Sequence, residues 1–102
     1  MAKIHLIEKK NLFTRVSGSQ TEYESGYWAL TEQEAGNLVG AHIYFHEKQI
    51  APSFYGGLIT GFRTQQGEPY GGRIIFRFEP KPECRDVRAG VDGWQYEKKI
   101  VR

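Results

Sequence analysis

Apolar and polar positions alternate with a period of two along much of this chain, in short runs broken by glycine, proline or polar clusters. Such alternation predicts strands with one covered face. Ile4–Ile7, closed by Glu8-Lys9-Lys10, reads as a first strand, and Leu12–Val16 as a second short extended run before the polar loop Ser17–Thr21. Tyr23–Leu30 is aromatic and extended, with Gly26 marking a bulge or the close approach of another backbone or a ligand. Ala41–His46 places Ile43 and Phe45 on one face and His42, Tyr44 and His46 on the other.

One stretch breaks this period. Thr31-Glu32-Gln33-Glu34 is a capping box, in which the Thr31 hydroxyl accepts from the Glu34 backbone N–H and the Glu34 side chain returns to Thr31. It predicts a helix of two to three turns with Ala35, Leu38 and Val39 on its apolar face, stopped by Gly40 in the left-handed conformation. Lys48–Tyr55 is expected to be a loop around Pro52. Leu58–Arg63 and Arg73–Phe78 then form a hairpin whose connecting loop, of about eight residues, contains Pro69 and glycines. The Gly56-Gly57 and Gly71-Gly72 pairs mark a bulge and a hairpin end. Pro80-Lys81-Pro82 ends the second strand of that hairpin. Val87 and Val91 have the spacing of one helical turn, Asp92-Gly93 is a turn, and Trp94–Glu97 with Ile100-Val101 makes a last strand.

These elements predict an α+β, mainly β, architecture: a small curved sheet or partly closed β-barrel with one or two short helices, forming a single domain over residues 1–102. Twelve glycines support it by supplying turns, and fourteen aromatic rings supply burial that a hydrophobic content of 39% would otherwise lack. A single cysteine, Cys84, leaves no intramolecular disulfide and fits a reducing compartment. No apolar run reaches membrane-spanning or signal-peptide length, so a cytoplasmic protein without membrane contact is expected.

The net charge of +2 is unevenly spread: residues 1–51 carry five Lys/Arg against six Asp/Glu, and residues 52–102 nine against six. Arginine dominates the second half, and guanidinium forks match phosphate oxygens in pairs. Arg63, Arg73 and Arg77, on or beside the predicted hairpin, are therefore candidates for phosphate contacts. A solvated basic strand face is the plainer reading of the same residues.

Candidate chemistry concentrates between Tyr23 and Tyr55. Tyr27, Trp28, Phe54 and Tyr55 could stack on a flat ligand, each such contact being worth about 1 to 3 kcal/mol in nucleic-acid complexes. The competing reading is that the rings form the core of a domain short of aliphatic residues. His42 and His46 are four apart, but on a strand that spacing separates them by about 13 Å, and no nearby cysteine or carboxylate completes a metal set. Ser53 and Cys84 lie in no nucleophile motif, so no catalytic residue, metal or cofactor is assigned.

The Tyr27-Trp28 pair before a capped helix, the strand ending Tyr44-Phe45-His46, the Pro52-Ser53-Phe54-Tyr55 loop and Gly56-Gly57 leading into a strand resemble, in their order, the PUA-like superfamily, which includes the ASCH and EVE domains. The resemblance implies a curved, nearly closed barrel with a helix over one opening, and binding of RNA or DNA, in several branches through a modified or flipped base. The expectation is a non-enzymatic nucleic-acid-binding module. Tyr27, Trp28, Phe54 and Tyr55 would stack the base, His46 and Ser53 would hydrogen-bond its edge, and the three arginines would hold phosphates. Two alternatives stand beside it: a protein-interaction or regulatory module that uses exposed rings and arginines on a protein partner, and a small hydrolase on the same fold, with Lys48 or Glu24 in its pocket.

Overall fold

The computed structural model describes residues 2–101. Among the described residues seven strands form one mixed sheet: β1 Lys3–Ile7, β2 Thr14–Arg15, β3 Tyr23–Glu24, β4 His42–His46, β5 Ser53–Thr64, β6 Ile74–Pro80 and β7 Lys98–Val101. Their order across the sheet is β2-β3-β6-β5-β4-β1-β7. The sheet does not close, so β2 and β7 are its margins. An α-helix, α1, covers Glu32–Asn37, and a 3-10 turn covers Pro82–Cys84. The architecture is α+β and mainly β, and no helix among the described residues is long and apolar enough to cross a membrane.

The period of two sorts the faces of the sheet. Ile4 and Leu6 of β1, Ile43 and Phe45 of β4, and Phe76 and Phe78 of β6 are all fully buried in one core. Each such side chain contributes about 1.5 to 3 kcal/mol through burial. The helix starts as its capping box requires, with Glu34 N donating to Thr31 Oγ1 at 3.0 Å and Thr31 N to Glu34 Oε1 at 3.0 Å. It buries Ala35 and is followed by buried Leu38, whereas Val39, expected on the apolar face, is 45% exposed. With only six residues, α1 ends before Val39 can turn toward the core.

Strand β5 departs most from expectation. It begins at Ser53, immediately after Pro52, and so takes in residues expected in a loop. Proline is tolerated before a strand, where its missing N–H breaks no ladder. Two irregularities bend β5. Phe45 pairs with Tyr55 and His46 with Ser53, leaving Phe54 as an extra residue; Thr60 is the extra residue between Ile59 and Gly61. Each extra residue reverses which face the alternation serves. Ser53 therefore shares the outer face with His46, while Tyr55 packs against the core beside Phe45.

The Gly56-Gly57 pair lies at neither bulge. Its role is close packing: a Cβ on Gly56 would stand 2.2 Å from the Ile43 carbonyl oxygen, and one on Gly57 2.0 Å from that of Glu79. At the far end of the hairpin Gly72, with φ +85°, takes the turn expected there. The C-terminal region is the other departure. Residues 85–97 form no helical turn and no strand, and the last strand is only Lys98–Val101, paired with β1.

Gly57→Ala is expected to destabilise the fold by more than about 3 kcal/mol, since the β6 backbone at Glu79 and Pro80 must move. Thr31→Ala, which removes one cap, is expected to cost about 1 kcal/mol. Urea unfolding midpoints check both, and a Gly57→Ala midpoint equal to or above that of Thr31→Ala would contradict the packing argument.

Candidate functional site

An open cleft of about 760 Å³ lies between the chain that follows β3 and the turn that leads into β7. One side is Tyr27-Trp28-Ala29, which continues from β3 alongside β6: Trp28 N donates to the Ile74 carbonyl at 2.9 Å, and Ile74 N returns to Trp28 O at 2.8 Å. The other side is residues 94–98, a turn leading into β7, closed by Gln95 N to Lys98 O at 2.7 Å and Lys98 N to Gln95 O at 3.1 Å. Lys98 Nζ spans the gap and donates to Ala29 O at 2.7 Å.

Four aromatic residues line this cleft, with unequal surface to offer. Trp28 is 8% exposed, its indole N–H donated to Ser25 Oγ at 3.2 Å, so it is mainly core. Tyr27 is half-buried and stacks on Tyr70 at 4.6 Å, and the Arg73 guanidinium lies 5.8 Å from the Tyr70 centroid. Tyr96, on a left-handed residue of the turn, is 95% exposed. Trp94 donates its indole N–H to Gly90 O at 2.8 Å.

Trp94 also connects the cleft to a buried histidine pair. His5 Nδ1 and His46 Nε2 are 2.8 Å apart, and His46 Nδ1 lies 2.8 Å from the Ala51 carbonyl oxygen. A carbonyl only accepts, so His46 Nδ1 carries the proton there, His46 Nε2 accepts, and His5 Nδ1–H donates. The Tyr44 ring stacks on His5 at 4.7 Å, and Trp94 stands edge-on to His5 and His46 at 6.4 and 5.8 Å. Burial, followed by the neighbouring His46, Lys3 and Lys99, pushes the His5 pKa down to about 4. Burial also lowers that of His46, against the opposing effect of its bond to Ala51.

The residues singled out from sequence fall in three places. Tyr27, Trp28 and Arg73 meet at the cleft. Phe54 and Tyr55 pack around Phe13, with Tyr55 at 5.0 Å from it and beneath the Arg85 guanidinium at 5.5 Å. They lie at the opposite end of β5 from Thr64, which pairs with the Ile74 that bridges to Trp28. Roughly 30 Å of extended chain separates these ends, so the four rings do not share one pocket.

His46 and Ser53 are 0% and 1% exposed and have their polar atoms engaged. Ser53 Oγ donates to Cys84 O at 2.6 Å and accepts from Val87 N at 3.0 Å, tying the segment after the 3-10 turn to β5. Neither residue presents a free edge to a ligand. Arg63 grips Glu24 through two bonds of 2.7 and 3.0 Å, and Arg77 binds Glu22 at 2.8 Å. The Thr60 hydroxyl, then Arg77, hold the Glu22 carboxyl below its ordinary range. Arg73 has no ion-pair partner among the described residues.

Trp94, Gln95, Tyr96, Glu97 and Lys98 carry no motif that marks them as site residues in the sequence. The available signal was local: an Asp92-Gly93 turn followed by two rings alternating with polar residues. No group of three or more metal-ligating side chains assembles among the described residues.

A histidine whose folded pKa lies below its unfolded value of 6.5 leaves stability intact above that pH. Stability then falls as pH drops from 6.5 toward about 4 and levels off below. Thermal melts across this range are expected to show a loss on the order of 1 to 3 kcal/mol. His5→Gln is expected to flatten that dependence, and an unchanged slope would remove the pair as its source. Comparison with known protein families, curated proteins and solved structures finds no match to this chain.

Proposed function

We propose that this protein is a non-enzymatic module that binds single-stranded nucleic acid by seating one unstacked base in the cleft between Tyr27 and the Trp94–Tyr96 turn, with Arg73 meeting an adjoining phosphate. The observation that carries this reading is the convergence of aromatic surface and an unpaired arginine on one open cleft. Its volume, about 760 Å³, is within the range of small-molecule sites and leaves room for more than a base alone.

The charge balance supports an anionic ligand. Arg73 and Lys98 outweigh Glu97 among the charged residues lining the cleft. A flat, exposed ring such as Tyr96 gains by stacking, because every base has an apolar face to offer. The PUA-like resemblance points to the same class of ligand. The arrangement differs from the sequence expectation in its second wall, supplied by the C-terminal turn instead of Phe54 and Tyr55. Arg63 and Arg77, held by carboxylates, provide a weaker electrostatic background than three free arginines would.

Fluorescence anisotropy with labelled single-stranded RNA and DNA tests this reading. Affinity is expected to fall steeply with salt. Arg73→Ala is expected to weaken binding several-fold and to reduce the salt slope by about one. Tyr96→Ala, at a side chain that supports no core, is expected to weaken binding by about 5-fold to 100-fold without changing the melting temperature. No binding to either nucleic acid at low salt would refute the proposal.

A further inference from the structure

Glu97 is an unexpected presence in a phosphate-binding cleft. Its carboxylate is exposed and has no ion-pair partner among the described residues, although lysines follow it at positions 98 and 99. Both ammonium groups are committed to backbone carbonyls, Lys98 to Ala29 at 2.7 Å and Lys99 to Ala89. The backbone of Glu97 is anchored, because its carbonyl accepts from Ile7 N at 2.9 Å on β1 and the turn before it is closed by the Gln95–Lys98 bonds. A carboxylate so placed repels a bare phosphate. Its two acceptor oxygens instead suit a ligand with adjacent N–H donors.

Among the four common bases only guanine offers that pattern on its Watson–Crick edge, where N1–H and the N2 amino group stand side by side. Cytosine and adenine each present one amino donor next to a ring-nitrogen acceptor, and uracil one N–H between two carbonyls. In each of those cases the second carboxylate oxygen faces a lone pair. Gln95, across Tyr96 from Glu97, has an exposed amide that can donate to the guanine O6. A guanidinium would also stack and pair with a carboxylate, but Arg73 and Lys98 in the same cleft disfavour a cation.

Building on the function proposed above, we propose that the base taken into the cleft is guanine, with Glu97 as its specificity-determining residue and Gln95 as a second contact. The test uses uridine-tract oligonucleotides that differ only at one central base. The guanine oligonucleotide is expected to bind at least about 10-fold tighter than those carrying adenine, cytosine or uracil, as expected for a bidentate contact. Inosine, which keeps N1–H and lacks the N2 amino group, is expected to lose most of that advantage. Glu97→Gln is expected to abolish the preference while leaving the other three affinities equal or higher, because a repulsive charge has gone. Equal binding of all four oligonucleotides, or a preference that survives Glu97→Gln, overturns the guanine assignment and leaves base binding standing. Binding of none overturns both, and capture of an arginine-containing peptide in place of the oligonucleotides does the same.

Discussion

The hydrogen bond between His5 and His46 is the constraint on which the candidate site depends. Two imidazoles on the outer face of β1 and β4 would carry a heavy desolvation cost if covered without partners. Their chain of donors and acceptors, ending on the Ala51 carbonyl, satisfies that face, and burial favours the neutral pair. Covered in this way, the pair provides a surface on which Trp94 rests edge-on. Trp94 is thereby fixed on the sheet, and the turn that follows is held opposite Tyr27-Trp28-Ala29.

The bulge at Phe54 makes a second fixed point for the same segment. By placing Ser53 on the outer face it allows one hydroxyl to serve Cys84 and Val87, while the Ser53 backbone exchanges bonds with Val87 and Asp86 at 2.8 and 2.7 Å. The chain from Arg85 to Glu97 has no regular structure, yet it is anchored at Ser53, at the histidine pair and at Ile7. The same bulge directs Tyr55 to the core side, where Phe13, Phe45 and Phe78 surround it.

Electrostatics divides the arginines along similar lines. Those on the outer face of β5 and β6 meet Glu22 and Glu24, carried there by β3 and the residue before it, and form a neutral patch. Arg73 lies on the hairpin loop, beyond the reach of that acidic pair, and is the arginine that faces the cleft. Two arginines of the basic second half are thus neutralised by local carboxylates, and Arg73 is left to the cleft.

Features that depend on near neighbours are legible in the chain alone. The capping box at Thr31 closes within four residues, and the alternation of Ile43 with His42 and Tyr44, or of Phe76 with Arg77, follows from the two-residue repeat of any strand. The mainly β class and the helix start were legible for that reason. The parallel pairing of β1 with β4, the bulges of β5 and the docking of residues 85–97 emerge only in the folded chain. These depend on contacts between residues far apart in sequence, such as His5 with His46, Ser53 with Cys84 and Lys98 with Ala29, whose partners no local pattern specifies. The rings between Tyr23 and Tyr55 accordingly announced an aromatic protein without saying which of them would face solvent. Burial is set by the opposing surface, and here that surface comes from the other end of the chain.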